Sequence, residues 1–244
     1  MKILVIGEIC TDKFVYGKID RLSPEAPVPV FIPLDERTNY GMAGNVVKNI
    51  FALNPEIIIN SIHNKKLITK TRFVDKKTNH MIMRMDEGEN NIDEFKMTDS
   101  VLQNILDSDA VIISDYNKGF LSDEDIIDIG KLSRITVLDS KRKLSDEIVR
   151  AVNFVKLNEK EYQNNIGLNV SKLLITLGER GVMYMGETYP SPSPKETIDV
   201  SGAGDTFVAS FTYKYLMSDD IVESLYYANQ MSAIVVSKKG VTTP

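Results

Sequence analysis

The chain carries one cysteine, Cys10, and two histidines, His63 and His80. A single thiol excludes an internal disulfide framework and a cysteine-rich zinc site. The histidines lack metal-ligand spacing. Cys10 follows an apolar stretch and reads as a buried, inert thiol. No apolar run approaches the ~18 residues of a membrane-crossing helix, so no membrane partner is expected. The opening segment MKILVIGEIC lacks a signal-peptide cleavage pattern and reads as a first β-strand. The expected compartment is the cytoplasm. An excess of positive charge is also missing, since the formal net charge is -5. General nucleic-acid binders are usually basic, so no nucleic-acid partner is expected. A small anion can still bind through local dipoles and a few Lys or Arg side chains. Two familiar phosphate motifs are absent. There is no G-x-x-x-x-G-K-S/T loop, and Gly202-Ala-Gly204 does not continue as G-x-G-x-x-G, because Phe207 takes the last position.

What is present fits one α/β domain over residues 1–244. Short Ile- and Val-rich runs occur at Ile3–Ile6, Ala110–Ile113, Ile135–Leu138, Phe154–Val155 and Leu173–Ile175. Runs this short, without clean alternation, suit strands buried on both faces of a parallel sheet. Helical patterns lie between and after them, at Asn45–Leu53, after the capping-box sequence Ser122–Asp125, and at Asp220–Val236. This alternation predicts a doubly wound, mostly parallel sheet flanked by helices. Polar residues follow the strands: Glu8 and Asp12, then Asp115, Asp139, Asn158 and Thr176. Ligands of open α/β sheets bind beyond the carboxyl ends of strands, so these positions outline a site. Residues 14–40 differ in character. Phe14–Tyr16 and Val28–Ile32 read as β segments around a turn with Pro24, Pro27 and Pro29. They predict a small β lid over the main site.

The segment Asp199–Phe207 carries the strongest chemical signal. Gly202, Ala203 and Gly204 are small enough for their backbone N–H groups to converge at a helix start, where an anion is favoured. Asp205 comes next. A carboxylate beside a phosphate is unfavourable unless it takes a proton from a nucleophile, a combination that suits phosphoryl transfer. The same spacing also fits a plain helix start with an acidic cap. Phe207, Phe211 and Tyr215 form a stripe expected in the core. Arg72, Lys118, Lys141 and Arg142 fit either a phosphate site or solvated surface charge, and Lys76-Lys77 reads as a charged turn.

Asp199–Phe207 resembles the C-terminal signature of the PfkB/ribokinase-like carbohydrate kinases, and the similarity runs over nearly the whole chain. Arg21–Val30, Thr69–Arg72 and Ser114–Gly119 further resemble the kinases that act on D-glycero-D-manno-heptose 7-phosphate in ADP-heptose synthesis. The resemblance implies a ribokinase-like fold and ATP-dependent phosphorylation of a sugar or sugar phosphate. It implies that Asp205 is the base, with Gly202, Ala203 and Gly204 as the anion hole. It assigns Asp12, Gly41 and Asn45 to sugar hydroxyls, and Arg72 and Lys118 to a phosphate on the acceptor. Asn158 and Glu161 match an Asn-x-x-Glu element that organises Mg²⁺ and phosphates, often through water. Thr176, Gly178 and Gly181 match the nucleotide turn, and Asn229 lies where the family lines its adenine pocket. The lid resembles a clasp that forms homodimers. Two departures stand out: Met42 replaces a usual glycine, and the chain is short between Leu53 and Thr69. No nucleotidyltransferase domain is expected. A kinase for ribose, fructose phosphate or a nucleoside, or a catalytically weak ligand-binding homologue, remains open at this point.

Overall fold

The computed structural model describes residues 1–192, 200–238 and 242–244. The chain begins with β1 (Lys2–Gly7), β2 (Ile9–Leu22), β3 (Pro29–Met42), α1 (Ala43–Leu53) and β4 (Ile58–Ile62). It continues through β5 (Thr69–Asp75), β6 (Met81–Glu87), α2 (Asp99–Leu106), β7 (Ala110–Asp115) and α3 (Asp123–Leu132). Then come β8 (Thr136–Ser140), α4 (Asp146–Ala151), β9 (Phe154–Asn158), α5 (Glu159–Gln163) and β10 (Leu173–Thr176). The last elements are β11 (Val182–Tyr184), β12 (Glu187–Tyr189), α6 (Ala203–Ser218) and α7 (Ile221–Val236).

Eight strands form the larger sheet, in the order β12-β11-β10-β9-β8-β7-β1-β4. The six from β10 to β4 pair in parallel, and β11 and β12 add antiparallel edges. Its strands read as apolar runs because both faces are covered. In β1, Leu4 and Ile6 pack into one core layer with Val111, Ile113 and Leu138. Ile3 and Val5 pack into the other with Val46, Phe207 and Phe211. The stripe expected from the sequence is there: Phe207, Phe211 and Tyr215 stack along α6, and Phe154 meets Phe211 edge-on with ring centroids 5.0 Å apart. Truncating a buried Phe to Ala typically costs about 3–5 kcal/mol.

A second, four-stranded sheet has the order β3-β2-β5-β6. Pro24 and Pro27 lie in the link between β2 and β3, and Pro29 opens β3. This sheet is wider than residues 14–40, because Thr69–Asp75 and Met81–Glu87 join it. The short interval after Leu53 still holds an edge strand of the larger sheet, β4, next to β1. Asp12 lies within β2 of the small sheet, so it does not end a strand of the larger one.

Local capping explains most helix starts. Thr98, Ser145 and Asp220 cap α2, α4 and α7. Ser122 with Asp125, and Asn158 with Glu161, form capping boxes on α3 and α5. Helices α1 and α6 instead start without a side-chain cap, after Met42 and Gly202 in left-handed conformations with φ of 57° and 80°. Their first N–H groups are thus left for something else to satisfy.

Candidate active site

The uncapped start of α6 brings Asp205 to the carboxyl edge of the larger sheet. Glycine adopts the left-handed turn at Gly202 at no steric cost. The N–H groups of Gly202 and Gly204 have no partner among the described residues, and that of Ala203 makes a long 3.3 Å bond to the Val200 carbonyl. Gly204 faces Lys156 so closely that a Cβ there would lie 2.8 Å from Nζ. Lys156 is buried, and its Nζ donates to the Asp139 carboxylate at 3.1 and 3.2 Å. Amides of Gly202 and Gly204 that lack a partner among the described residues, with a buried ammonium against Gly204, give this helix start a chemistry that favours an anion.

Asp205 is buried and accepts two side-chain hydrogen bonds. Asn45 Nδ2 donates to Oδ2 at 2.8 Å, and the Tyr116 hydroxyl donates to Oδ1 at 3.1 Å. Burial pushes its pKa up to about 6; the Asn45 bond lowers it, Asp139 raises it, and Lys156 and the Tyr116 bond lower it in turn. Burial and the Asp205 charge together push the Tyr116 hydroxyl well above its ordinary value. Asn45 is held from behind by Asn49, whose Oδ1 accepts from the Thr206 hydroxyl at 2.8 Å. A carboxyl that titrates near neutrality, held at two points, has the properties of a general base.

Two cavities meet at this helix start. A charged cavity of about 410 Å³ is lined by Asp12, Gly41, Asn45, Arg72, Lys118 and Gly202, with Asp205 at one end. An apolar cavity of about 590 Å³ is lined by Asn158, Thr176, Gly178, Gly181, Ala203 and Gly204, together with Asn229. The structure thus brings the sequence-selected residues together in two groups, on either side of residues 202–205. Glu161 lines neither cavity; its bonding partners Asn158 and Lys141 line one each. Asp199 lies outside the described residues.

Several of these side chains are already engaged. Arg72 Nη1 meets Asp12 Oδ1 at 2.5 Å, so these two pair with each other. Lys118 Nζ lies 2.6 Å from Glu89, which also bonds Lys70. Asn229 Nδ2 donates to the Tyr189 and Pro190 carbonyls at 2.9 and 3.3 Å and fixes the wall of the apolar cavity. Glu161 receives the Asn158 N–H at 2.7 Å and Lys141 Nζ at 2.5 Å. Burial lowers the Lys141 pKa, but Asp139 and Glu161 outweigh it and hold the amine above its ordinary value. Arg142 and Asp115, which the sequence left as candidates, form a buried ion pair at 2.6 Å beneath the site. Asp115 is a strut, because its oxygens are taken by Arg142 and Ser140. Cys10 is buried with its thiol pushed up to about 12, by burial first and then by Asp12.

Sequence reasoning gave no role to Tyr116, Lys156, Lys70 or Arg84, all of which belong to this site. Lys156 carried a legible signal. It interrupts the apolar strand Phe154–Leu157, and a lysine inside a doubly covered strand needs a partner.

The fold is shared with solved ribokinase-like structures. Arabidopsis thaliana ribokinase, complexed with ribose and ATP, superposes with a TM-score of 0.73 at 16% identity, over 98% of this chain and 93% of that one. Phosphofructokinase-2 from Escherichia coli, in complex with potassium, gives 0.76 at 12% identity, over 98% and 94%. A model of the pfkB family carbohydrate kinases matches residues 59–244. Bifunctional protein HldE of Helicobacter pylori (strain J99 / ATCC 700824) is 33% identical over 98% of this chain and 63% of its own length. HldE of a Nitratiruptor species is 30% identical over 99% and 63%. This chain therefore belongs to the pfkB family of carbohydrate kinases, which transfer phosphoryl groups from ATP. It spans 63% of the length of these two curated relatives. No helix among the described residues is long and apolar enough to cross a membrane.

Proposed function

We propose that the chain phosphorylates a sugar that already bears a phosphate, with D-glycero-D-manno-heptose 7-phosphate as acceptor and the 1,7-bisphosphate as product. The observation that carries the reading is the meeting of a charged and an apolar cavity at residues 202–205, with Asp205 on the charged side. The apolar cavity takes ATP. Its small residues and glycines suit a flat base and a backbone-bound phosphate chain. The charged cavity takes the acceptor. Its cations Lys70, Arg72, Arg84 and Lys118 exceed what a neutral sugar needs, which favours an anionic one. The resemblance of Arg21–Val30 to heptose-phosphate kinases and the similarity to HldE support the particular sugar.

In this reading Asp205 takes the proton from the acceptor hydroxyl as its oxygen attacks the terminal phosphorus. The bond to the bridging oxygen breaks and ADP leaves. The amides of Gly202–Gly204 and the Lys156 ammonium hold the negative charge of the transferring group. Asp12 and Asn45 face the sugar hydroxyls, while Arg72 and Lys118 hold the remote phosphate, which must compete with Asp12 and Glu89 for them.

The described residues contain no group of three or more His, Cys, Asp or Glu able to hold a metal. Mg²⁺ therefore fits as an ion carried by the nucleotide, with Glu161 reached through water. When bound, it would neutralise phosphate oxygens. Exposed Leu34, Ile32, Met81 and Met83 on the small sheet favour a homodimer through that sheet. Use of ATP favours the cytoplasm as the compartment.

The test is ADP release by the wild-type protein across a panel of sugars and sugar phosphates. Turnover restricted to phosphorylated sugars, fastest with the heptose, is expected. Preference for ribose, a nucleoside or fructose phosphate would reassign the acceptor. Tight ligand binding without ADP release would make the chain a binding protein.

A further inference from the structure

We propose that Glu8 is a positioning residue of the active site: its carboxylate shapes the 116–120 loop so that Tyr116 reaches Asp205 and Lys118 reaches the charged cavity. Glu8 is the single residue between β1 and β2, where the chain leaves the larger sheet for the smaller one. It lies where strand order reverses about β1, with β4 on one side and β7 on the other. Its side chain is fully buried. Oε2 accepts from the Tyr116 N–H at 2.8 Å, and Oε1 accepts from the Lys118 and Phe120 N–H groups at 2.9 and 3.4 Å.

Those three donors alternate along the loop. Between them lie Asn117 and Gly119, both left-handed with φ of 54° and 96°. The two positive-φ residues between the donors bend the loop so that every second amide, at 116, 118 and 120, points to the one carboxylate. Asn is the non-glycine residue that takes a positive φ most readily, and the Asn117 N–H is held by Asp115 Oδ1 at 3.0 Å, so the loop's shape is set by the two carboxylates Glu8 and Asp115 together. No cation bonds to Glu8 among the described residues. Burial pushes its pKa up, the Tyr116 amide opposes this, and Asp115 adds to it. An uncompensated buried acid is a poor way to stabilise a core. Its use here lies in what the loop delivers: a hydroxyl 3.1 Å from Asp205 and an ammonium that bonds Glu89 and lines the same cavity.

The role rests on Asp205 as the base, but the test separates the two ideas. The Asp205 carboxyl carbon is titrated by ¹³C NMR, with Asp205→Asn giving the assignment. Asn45, Tyr116, Asp139, Lys156, Lys141 and Cys10 are the polar and titratable groups that face Asp205. Glu8→Gln leaves all of them in the sequence and alters only the loop. Loss of the Tyr116 hydrogen bond should raise the Asp205 midpoint by roughly one pH unit. Tyr116→Phe and Glu8→Gln should give similar shifts, and the double variant no more than either alone. Glu8→Gln should also raise the KM for a phosphorylated acceptor through Lys118, with the KM for ATP unchanged. If Glu8→Gln fails to fold, Glu8→Asp, which cannot span all three amides, should show part of the shift. In the wild-type protein, the amide protons of Tyr116 and Lys118 should move together with one carboxyl titration. An Asp205 midpoint at the wild-type value in the folded variant, additive shifts in the double variant, or independent amide protons would each overturn the proposal. Absence of ADP release by wild type would sink the kinase reading alone, because the titrations do not require turnover.

Discussion

The two cavities on either side of Asp205 are built from different materials. The apolar one is walled by glycines and small side chains, including Gly178, Gly181, Ala203 and Ala233. The charged one is walled by long side chains from both sheets: Arg72 and Lys70 from β5, Arg84 from β6, and Lys118 from the loop after β7. A backbone-walled cavity recognises shape and phosphate and is tolerant of side-chain change. A charge-walled one places its specificity in individual side chains, each paired with a carboxylate that the ligand must displace. In the proposed reaction, substitutions on the charged side should alter the acceptor and leave the nucleotide alone.

Asp205→Asn sits on the boundary and should have the largest effect. Loss of the base is expected to lower kcat by about 10²–10⁴-fold, with ATP affinity within a few-fold. A mere helix cap predicts near-normal kcat, since Asn caps as well as Asp. In wild type, kcat/KM should rise with pH through about 6, as the carboxyl loses its proton. Stability has the opposite sign. The folded pKa lies above the ordinary 3.8, so stability falls as pH rises from about 4 to about 6. The cost above that range is at most roughly 3 kcal/mol. Asp205→Asn should therefore melt higher than wild type at pH 8 and lose that advantage below pH ~4. A flat acid limb together with a pH-independent melting difference would remove Asp205 as the titrating base.

Lys156→Met tests whether the buried ammonium belongs to the transfer step. A fall in kcat on the order of 10²-fold is expected, comparable to losing one donor of an anion hole. It also leaves Asp139 with only the more distant Lys141 ammonium, 3.8 Å away, so a stability loss of up to about 3–5 kcal/mol accompanies it. Adding Asp139→Asn should restore the melting temperature but not kcat. Recovery of both would make the pair purely structural.

Arg72→Ala and Lys118→Ala sharpen the comparison itself. Each should raise the KM for a phosphorylated sugar by about 10–100-fold, the range of a charged hydrogen bond, with the KM for ATP unchanged. An equal rise for an unphosphorylated sugar would argue for a neutral acceptor.

The smallest effect is expected at Glu161. Glu161→Gln keeps a capping partner for Asn158, so stability should change little. The Mg²⁺ concentration needed for half-maximal turnover should rise. An unchanged metal titration would take Glu161 out of the site.

The difference between the cavities also explains what the sequence made legible. The central strands of the larger sheet were readable because burial on both faces leaves unbroken apolar runs, and α1, α3 and α7 because of their apolar spacing, with a local capping box at α3; the short helices α2, α4 and α5 carry too few apolar positions to show a stripe. Strand β4 escaped because it is a half-exposed edge, and β6 because every residue of it is exposed. Gly202–Asp205 stood out because small residues in sequence at a helix start leave backbone amides open to an anion. Lys70, Arg84 and Tyr116 did not, since they come together only when two sheets meet, and an isolated basic or aromatic residue carries no pattern. Met42 was visible as a departure but not its consequence: a left-handed φ of 57° in a bulky residue, stabilised by packing with Cys10 and Ile68.

The path of the chain between the two sheets has a consequence for how the molecule comes apart. It leaves β1 for β2 and β3, returns through α1 and β4, and only then supplies β5 and β6. The parallel pairing of β2 with β5 therefore encloses a helix and a strand of the other sheet. The small sheet is assembled from two stretches separated by α1 and β4, and it cannot be cut out as a contiguous fragment. Its non-local pairing raises the contact order and slows folding, and its interleaving ties the two sheets together through the chain.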